Sequence, residues 1–327
     1  MNPTRRTLVT GAASAASLAL LGSARAQGSW PNKPIRIVVG YPAGGLTDGL
    51  ARGYGDYIGQ KLGQSVVVEN RAGAAGMLAG AEVAKAAPDG YTFWFTITGT
   101  MNQNKVLFKK MPYDPDKDFA YVAGFDSGPL PLAVPAASPV KNFRDLLELG
   151  RKQRITLGNY AAGSYPHMLA QQMSSRMGAQ VEPVPYKGEA PMWLDVASGQ
   201  THAGQGSVLG VMPHIQSGRL RAIAVSSRVR TPQLPDVPTF EEQGFTEPIF
   251  TIVGWLGMFA PAGTPQGIIQ RVSDLVQEGA GSPRIQQLGK TFGMTTKPWS
   301  AQEFERIDRE VKPHWVGLAK ELNITLD

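Results

Sequence analysis

The chain of 327 residues contains no cysteine. Disulfides, thiolate nucleophiles, iron–sulfur clusters and Cys-ligated zinc are therefore excluded. Histidine is scarce: only His167, His202, His214 and His314 occur, with no H-E-x-x-H spacing, so neither a metal site nor a cofactor is expected. Charged residues amount to 18% against 42% hydrophobic, a balance that favours a folded chain over a disordered one. No apolar run suits a membrane span, since the best candidate, Leu8 to Leu21, is short and rich in Ser and Gly. Dense basic clusters interleaved with aromatics are also missing, which argues against nucleic acid and against an anionic membrane surface as partner. The densest basic stretch, Arg219, Arg221, Arg228 and Arg230, reads as the solvated ends of an apolar strand.

What is present begins with an export signal. Arg5 and Arg6 form a charged start, an apolar run follows, and Ala24-Arg25-Ala26 offers a cleavage site before Gln27. The Arg pair ahead of a weakly hydrophobic run resembles a twin-arginine signal; ordinary secretory signals carry such pairs too, so both routes stay open. Cleavage after Ala26 would remove three Arg and no acid, taking the formal charge from +6 to +3 over 301 residues.

The remainder alternates short β-branched runs with longer helical ones. Ile35 to Val39, Val66 to Val68 and Tyr91 to Ile97 read as strands, separated by helices near Asp48 to Leu62 and Met77 to Ala87. That order predicts an α/β unit with a parallel sheet and right-handed crossovers. A second alternation runs from Leu130 to Val225, and the Pro- and Asp-rich stretch Met111 to Asp118 reads as the connection between the units. Ile249 to Phe259 is an apolar run long enough to cross between two domains. Thr264-Pro265 predicts an N-cap and first residue of a helix, and Ser300 with Glu303 a capping box for a terminal helix that Pro313 kinks or interrupts. Two α/β lobes with the C-terminal segment returning to the first enclose a cleft. The expected division is 27–127 with 250–327 as lobe 1 and 128–249 as lobe 2.

Two small-residue turns fall where a strand hands over to a helix, one in each unit: Pro42 to Asp48, and Gly158 to His167. Such turns let backbone approach a ligand and aim N–H groups at a negative charge. Thr47 and Ser164 add hydroxyls, so the pair predicts a carboxylate site without buried arginines. Thr98 lies in a third hydroxyl-rich tip, Thr96 to Asn102, at the carboxyl end of the sheet where ligands of open α/β folds bind. Enzyme signatures are absent: Gly204 to Gly210 is one residue too long for the dinucleotide fingerprint, and no G-x-S-x-G elbow occurs. Ser164 and His167 could suggest nucleophile and base, but without an orienting acid a cap and a local hydrogen bond explain them better.

Seven segments, in order, carry a resemblance: Ile35 to Asp48, Val66 to Ala74, Ala87 to Thr92, Met111 to Pro115, Val184 to Gly188, Leu234 to Thr239, and Phe259 to Pro265. Together they resemble the Bug proteins, periplasmic solute-binding receptors of tripartite tricarboxylate transporters, over essentially the whole mature chain. The resemblance implies a two-lobed periplasmic binding protein of the Venus flytrap, type II-like form. It further implies a non-enzymatic, monomeric receptor that captures a small mono- or dicarboxylate and hands it to membrane permease subunits. Its ligand residues, carried onto this sequence, are Ala43, Gly44, Gly45, Thr47 and Asp48 facing Gly163, Ser164 and His167, with Asp48 ordering its helix; Thr98 and Ser207 complete the candidate set. Two departures bear on the ligand. Tyr160 and Tyr165 intrude into the second turn and suggest aromatic walls. Gln205-Gly206-Ser207 stands where the family tends to have Phe-Asp-Asn, so a cleft acid is expected to be missing and the ligand to lack an amino group. An exported α/β enzyme, or the binding component of a sensing system, are the alternatives.

Overall fold

The computed structural model describes residues 30–327 except 228, 252–253, 295–296, 322–324 and 327; the signal segment lies outside the described residues. Two five-stranded sheets dominate. In the first, β1 (Ile35–Val39) lies between β2 (Val66–Asn70) and β3 (Thr92–Ile97), all parallel. The alternating segments of the sequence form this part as expected, because parallel strands covered on both faces read as near-continuous apolar runs. The helix after β1, α1, spans Leu46–Leu62 and ends at Gly63, whose left-handed φ of 65° lets its N–H return to Gly59.

The sheets are mixed, however, and not wholly parallel. β4 (Phe119–Asp126) and β10 (Trp255–Pro261) extend the first sheet in the order β2-β1-β3-β10-β4, with β10 antiparallel to both neighbours. The second sheet repeats this plan: β7 (Val181–Pro185), β6 (Ile155–Asn159), β8 (Ala203–Gln205), β5 (Leu130–Pro135) and β9 (Leu220–Ser226), with β5 as the reversed strand. In each lobe the reversed strand is the one with which the chain enters after crossing from the other lobe. That direction is opposite to the local alternation.

The crossing itself corrects one expectation. Met111 to Asp118 does not separate the lobes, since it precedes β4 and buries Tyr113 against Trp94 in the first core. The chain crosses at Ser127 to Pro129 and returns before β10, and the two crossings are tied by the Ser127 N–H donating to the Gly254 carbonyl at 3.1 Å. The helices up to this point are α2 (Met77–Ala84), α3 (Asn104–Leu107), α4 (Phe143–Lys152), α5 (Tyr165–Ser175), α6 (Glu189–Ser198) and α7 (Val208–Gln216), of which α5, α6 and α7 border the cleft.

After α8 (Pro248–Thr251) and β10 come α9 (Gln266–Gly279), α10 (Pro283–Phe292) and α11 (Ala301–Glu321). Helix α9 starts later than the Thr264-Pro265 pair predicts: Pro265 is the N-cap and the Thr264 hydroxyl turns back to the Pro261 carbonyl. The Ser300 cap is present, its hydroxyl accepting from the Glu303 N–H at 3.2 Å. Helix α11 continues through Pro313 without interruption. Its first half packs Phe304 into the core of the first lobe, while Trp315, Leu318 and Ala319 join the core of the second. It is a third tie between the lobes.

Candidate functional site

The turn between β1 and α1 is shaped by one glycine and one carboxylate. Gly44 takes φ +87°, a conformation that a side chain would disfavour, and a Cβ there would meet nothing within 4 Å. Its N–H donates to Asp48 Oδ2 at 2.9 Å, and Asn70 Nδ2 donates to Oδ1 at 2.9 Å. Arg52 Nε adds a third donor at 3.1 Å. Asp48 is nearly buried, and desolvation, the largest single effect, pushes its carboxyl up. The hydrogen bonds from Arg52, Gly44 and Asn70, with the charge of Arg52, outweigh that and hold it below the usual carboxylate range.

The turn between β6 and α5 has the same construction with a different acceptor. Gly163 takes φ +75°, and its N–H donates to His167 Nδ1 at 2.9 Å, four residues on as in the first turn. Nδ1 accepts, so the ring proton is on Nε2, and burial lowers the His167 pKa. Both helices then start from the next residue, Gly45 or Ser164, and a helix start leaves first-turn N–H groups without intrahelical partners, one fewer in α5, where Pro166 has no N–H.

Both turns line one cavity of about 490 Å³ between the lobes. Ala43, Gly44, Gly45 and Thr47 come from the first lobe and Ser164 and Ser207 from the second, with Thr98 beside the crossing. Three of the ten sequence candidates are not in the lining. Asp48 and His167 sit behind their loops as the acceptors just described. Gly163 faces inward, where an added Cβ would come within 2.7 Å of Leu107 Cδ1. Thr98 lines the cavity but its hydroxyl is occupied, donating to the Trp255 carbonyl at 3.1 Å and accepting from the Trp255 N–H at 2.6 Å. Ser164 differs: it is 4% exposed, and its Oγ has no hydrogen-bond partner among the described residues.

Several lining residues escaped sequence reasoning. Trp193, Trp255 and Trp315 join Tyr41, Tyr160 and Tyr165 to give an aromatic wall, to which the two intruding tyrosines had pointed. Burial pushes the Tyr160 and Tyr165 hydroxyls up and Tyr41 up to about 12, so all three stay neutral. The larger surprise is Glu189. No acid was expected beside Ser207, yet the Glu189 carboxylate is there: Oε1 accepts from the Ser207 N–H at 2.9 Å and Oε2 from the Ser207 hydroxyl at 2.7 Å. Burial raises its pKa, against the lowering effect of the Ser207 and Trp193 hydrogen bonds. An acid at the first position of α6, directly after Gly188, reads in sequence only as a helix-start residue. Its partner is 18 positions away on another element. Lys187 is the one cationic lining residue; it is exposed and makes no ion pair among the described residues.

Two α/β lobes of matching topology, joined by paired crossings and closing helix starts and small-residue turns over one cavity, define a two-lobed solute-binding protein. Its family follows from sequence: the model of the "Tripartite tricarboxylate transporter family receptor" matches residues 50–324, and the chain belongs to that family. Among curated relatives, the BugT protein of Bordetella pertussis is 30% identical over 309 residues, covering 91% of this chain and 92% of that one. A protein from the tcbD-tcbE intergenic region of Pseudomonas sp. strain P51 is 31% identical over 306 residues, covering 92% and 90%. Among solved structures, the periplasmic binding protein BugD superposes with a TM-score of 0.81 at 29% identity, covering 91% of this chain and all of that one. An R. palustris protein solved with adipate gives 0.83 at 31%, with the same coverage. MatC of Rhodopseudomonas palustris, with bound malate, gives 0.78 at 26%, covering 89% and 100%. The family is one of periplasmic binding proteins.

Proposed function

We propose that this protein is a periplasmic receptor that captures a small carboxylate with an apolar or aromatic body and delivers it to the membrane subunits of a tripartite transporter. The observation that carries this reading is the cavity between the lobes: small turns and helix starts on both sides, an unpartnered Ser164 hydroxyl, and a wall of six aromatic side chains. Helix-start N–H groups and a hydroxyl hold a carboxylate without a buried cation that would be left unpaired when the site is empty. The adipate and malate in two solved relatives support the ligand class.

Capture occurs without turnover. His167 Nδ1 is committed to the Gly163 N–H, and Ser164 and His167 share no hydrogen bond among the described residues, so no activated nucleophile is assembled. The receptor acts as a monomer after cleavage behind Ala26, with 27–127 and 250–327 as one lobe and 128–249 as the other. Ligand raises stability because it binds only the folded, closed form.

The test is thermal shift and calorimetry with hexanoate, benzoate, adipate and malate on the purified mature chain. At one hundred times its Kd a bound carboxylate stabilises by about 2.7 kcal/mol. Gly45→Leu places a side chain in the cavity where a Cβ meets nothing within 4 Å, at an ordinary φ of −85°, and abolishes the shift while the protein still melts cooperatively. No shift with any carboxylate, or an undiminished shift in the variant, refutes the reading. Gly163 is unsuited to this test because its substitution strikes Leu107 in the core.

A further inference from the structure

The second lobe presents two N-cap serines to the cavity, and they are in different states. Ser164, between β6 and α5, has a hydroxyl with no partner among the described residues, while its N–H donates to the Ala161 carbonyl at 3.1 Å. Ser207, between β8 and α7, has both its N–H and its hydroxyl committed to Glu189. The N–H and O–H of one serine at a helix start form the donor set that an external carboxylate would take there. At Ser207 the protein has supplied that carboxylate itself.

We propose that Glu189 is a specificity-determining residue that fills a second carboxylate subsite of the cavity, so that the receptor selects monocarboxylates over dicarboxylates of the same length. This rests on the carboxylate-receptor reading above. The seat is closely fitted: a Cβ on Gly206 would lie 3.0 Å from Glu189 Cδ, and one on Gly210 would lie 2.2 Å from Oε2. The carboxylate thus rests against bare backbone, and Trp193 Nε1 stands 3.4 Å from the same Oε2. A ligand carboxylate arriving at this end finds the Ser207 donors taken and two carboxyl oxygens in place, which is rejection built from occupied donors and desolvation. Lys187 offers no replacement seat for the second carboxylate, because it is exposed and its charge is screened by solvent. The unpartnered Ser164 hydroxyl and the first-lobe turn remain for a single carboxylate.

Matched pairs differing only in the second carboxylate test this: hexanoate against adipate, and benzoate against terephthalate, by calorimetry on the full mature chain. Each monocarboxylate is expected to bind at least about tenfold more tightly than its partner. In Glu189→Ala, which vacates the seat, the ratio of the two Kd values falls below about threefold; in Glu189→Gln, which keeps the shape but turns one acceptor oxygen into a donor, it falls between. Because each variant is read by its own internal ratio, a general loss of affinity does not mimic the effect, and a melting curve confirms folding. Equal or tighter dicarboxylate binding by the unaltered protein, or an unchanged ratio in both variants, overturns this inference alone. Binding of neither class overturns it together with the carboxylate-receptor reading.

Discussion

Asp48 and His167 hold the same place in two loops of the same shape, yet they respond to pH in different windows. Each accepts the N–H of a left-handed glycine four residues earlier, and each has its pKa depressed in the folded state. A depressed pKa means that the unfolded chain binds the proton first as pH falls, so the stabilisation is complete above the unfolded value and is lost below it. For His167 that loss begins near the ordinary histidine value of about 6.5, and for Asp48 near about 3.9. Acid unfolding should therefore weaken in two stages. His167→Asn, which keeps an acceptor for Gly163, is expected to flatten the upper stage, and Asp48→Asn the lower one. His214, depressed by burial and by Arg219, leaves a residue of the upper stage. Urea midpoints measured from pH 3 to pH 8 decide it: parallel curves for His167→Asn and the parent would refute the assignment.

At the level of elements, what the sequence disclosed and what it concealed divide on physical lines. Strands β1 and β3 are legible because both faces are covered, and β2, at the sheet edge, because a β-branched run marks it. β4, with the sequence FAYVAGFD, is not, because its Gly124 is the bare spot on which Phe304 and Trp299 pack, and small residues weaken a strand signal. Strand direction in β5 and β10 is invisible, since an apolar run of six or seven residues reads the same both ways. The site divides likewise: the turns announce themselves by glycine, whereas Trp315 and Glu189 reach the cavity through packing between distant segments.

Helix α11 shows most plainly how distant elements meet. Its Asp308, fully buried, accepts from Asn102 Nδ2 at 2.6 Å, Trp255 Nε1 at 2.9 Å and Tyr121 OH at 2.7 Å. Lys312 Nζ lies at 3.3 Å. This carboxylate fixes Trp255, the first residue of β10 and part of the cavity wall, to a helix that continues into the other lobe. Asp308→Ala leaves the Asn102, Trp255 and Tyr121 donors without this acceptor and Lys312 with Asp116 alone, and should cost about 3–5 kcal/mol. A change in unfolding free energy below about 1 kcal/mol in denaturant titration would show that the network is dispensable.

On the scale of the whole molecule, the lobes meet on both sides of the cavity. Gly188 of the second lobe lies against Pro42 of the first, and Val208 Cγ2 comes within 3.1 Å of a Cβ built on Gly293 across the other side. Where the lobes close over a ligand, the rate at which they part is expected to limit its release. The absence of cysteine makes this directly testable. A Cβ built on Gly188 lies 4.0 Å from Pro42 Cβ, within the span that a disulfide bridges, and no native thiol competes. The double substitution Pro42→Cys and Gly188→Cys should cross-link on oxidation despite the strain of a side chain at the Gly188 φ of +100°. Ligand, by favouring the closed state, should speed cross-linking. A protein oxidised with ligand bound should release it at least about tenfold more slowly, and one oxidised empty should take it up correspondingly slowly, with both effects reversed by reductant. Release at the same rate from the cross-linked and reduced forms would mean that ligand exchange does not pass through lobe opening, and that the cavity has another door.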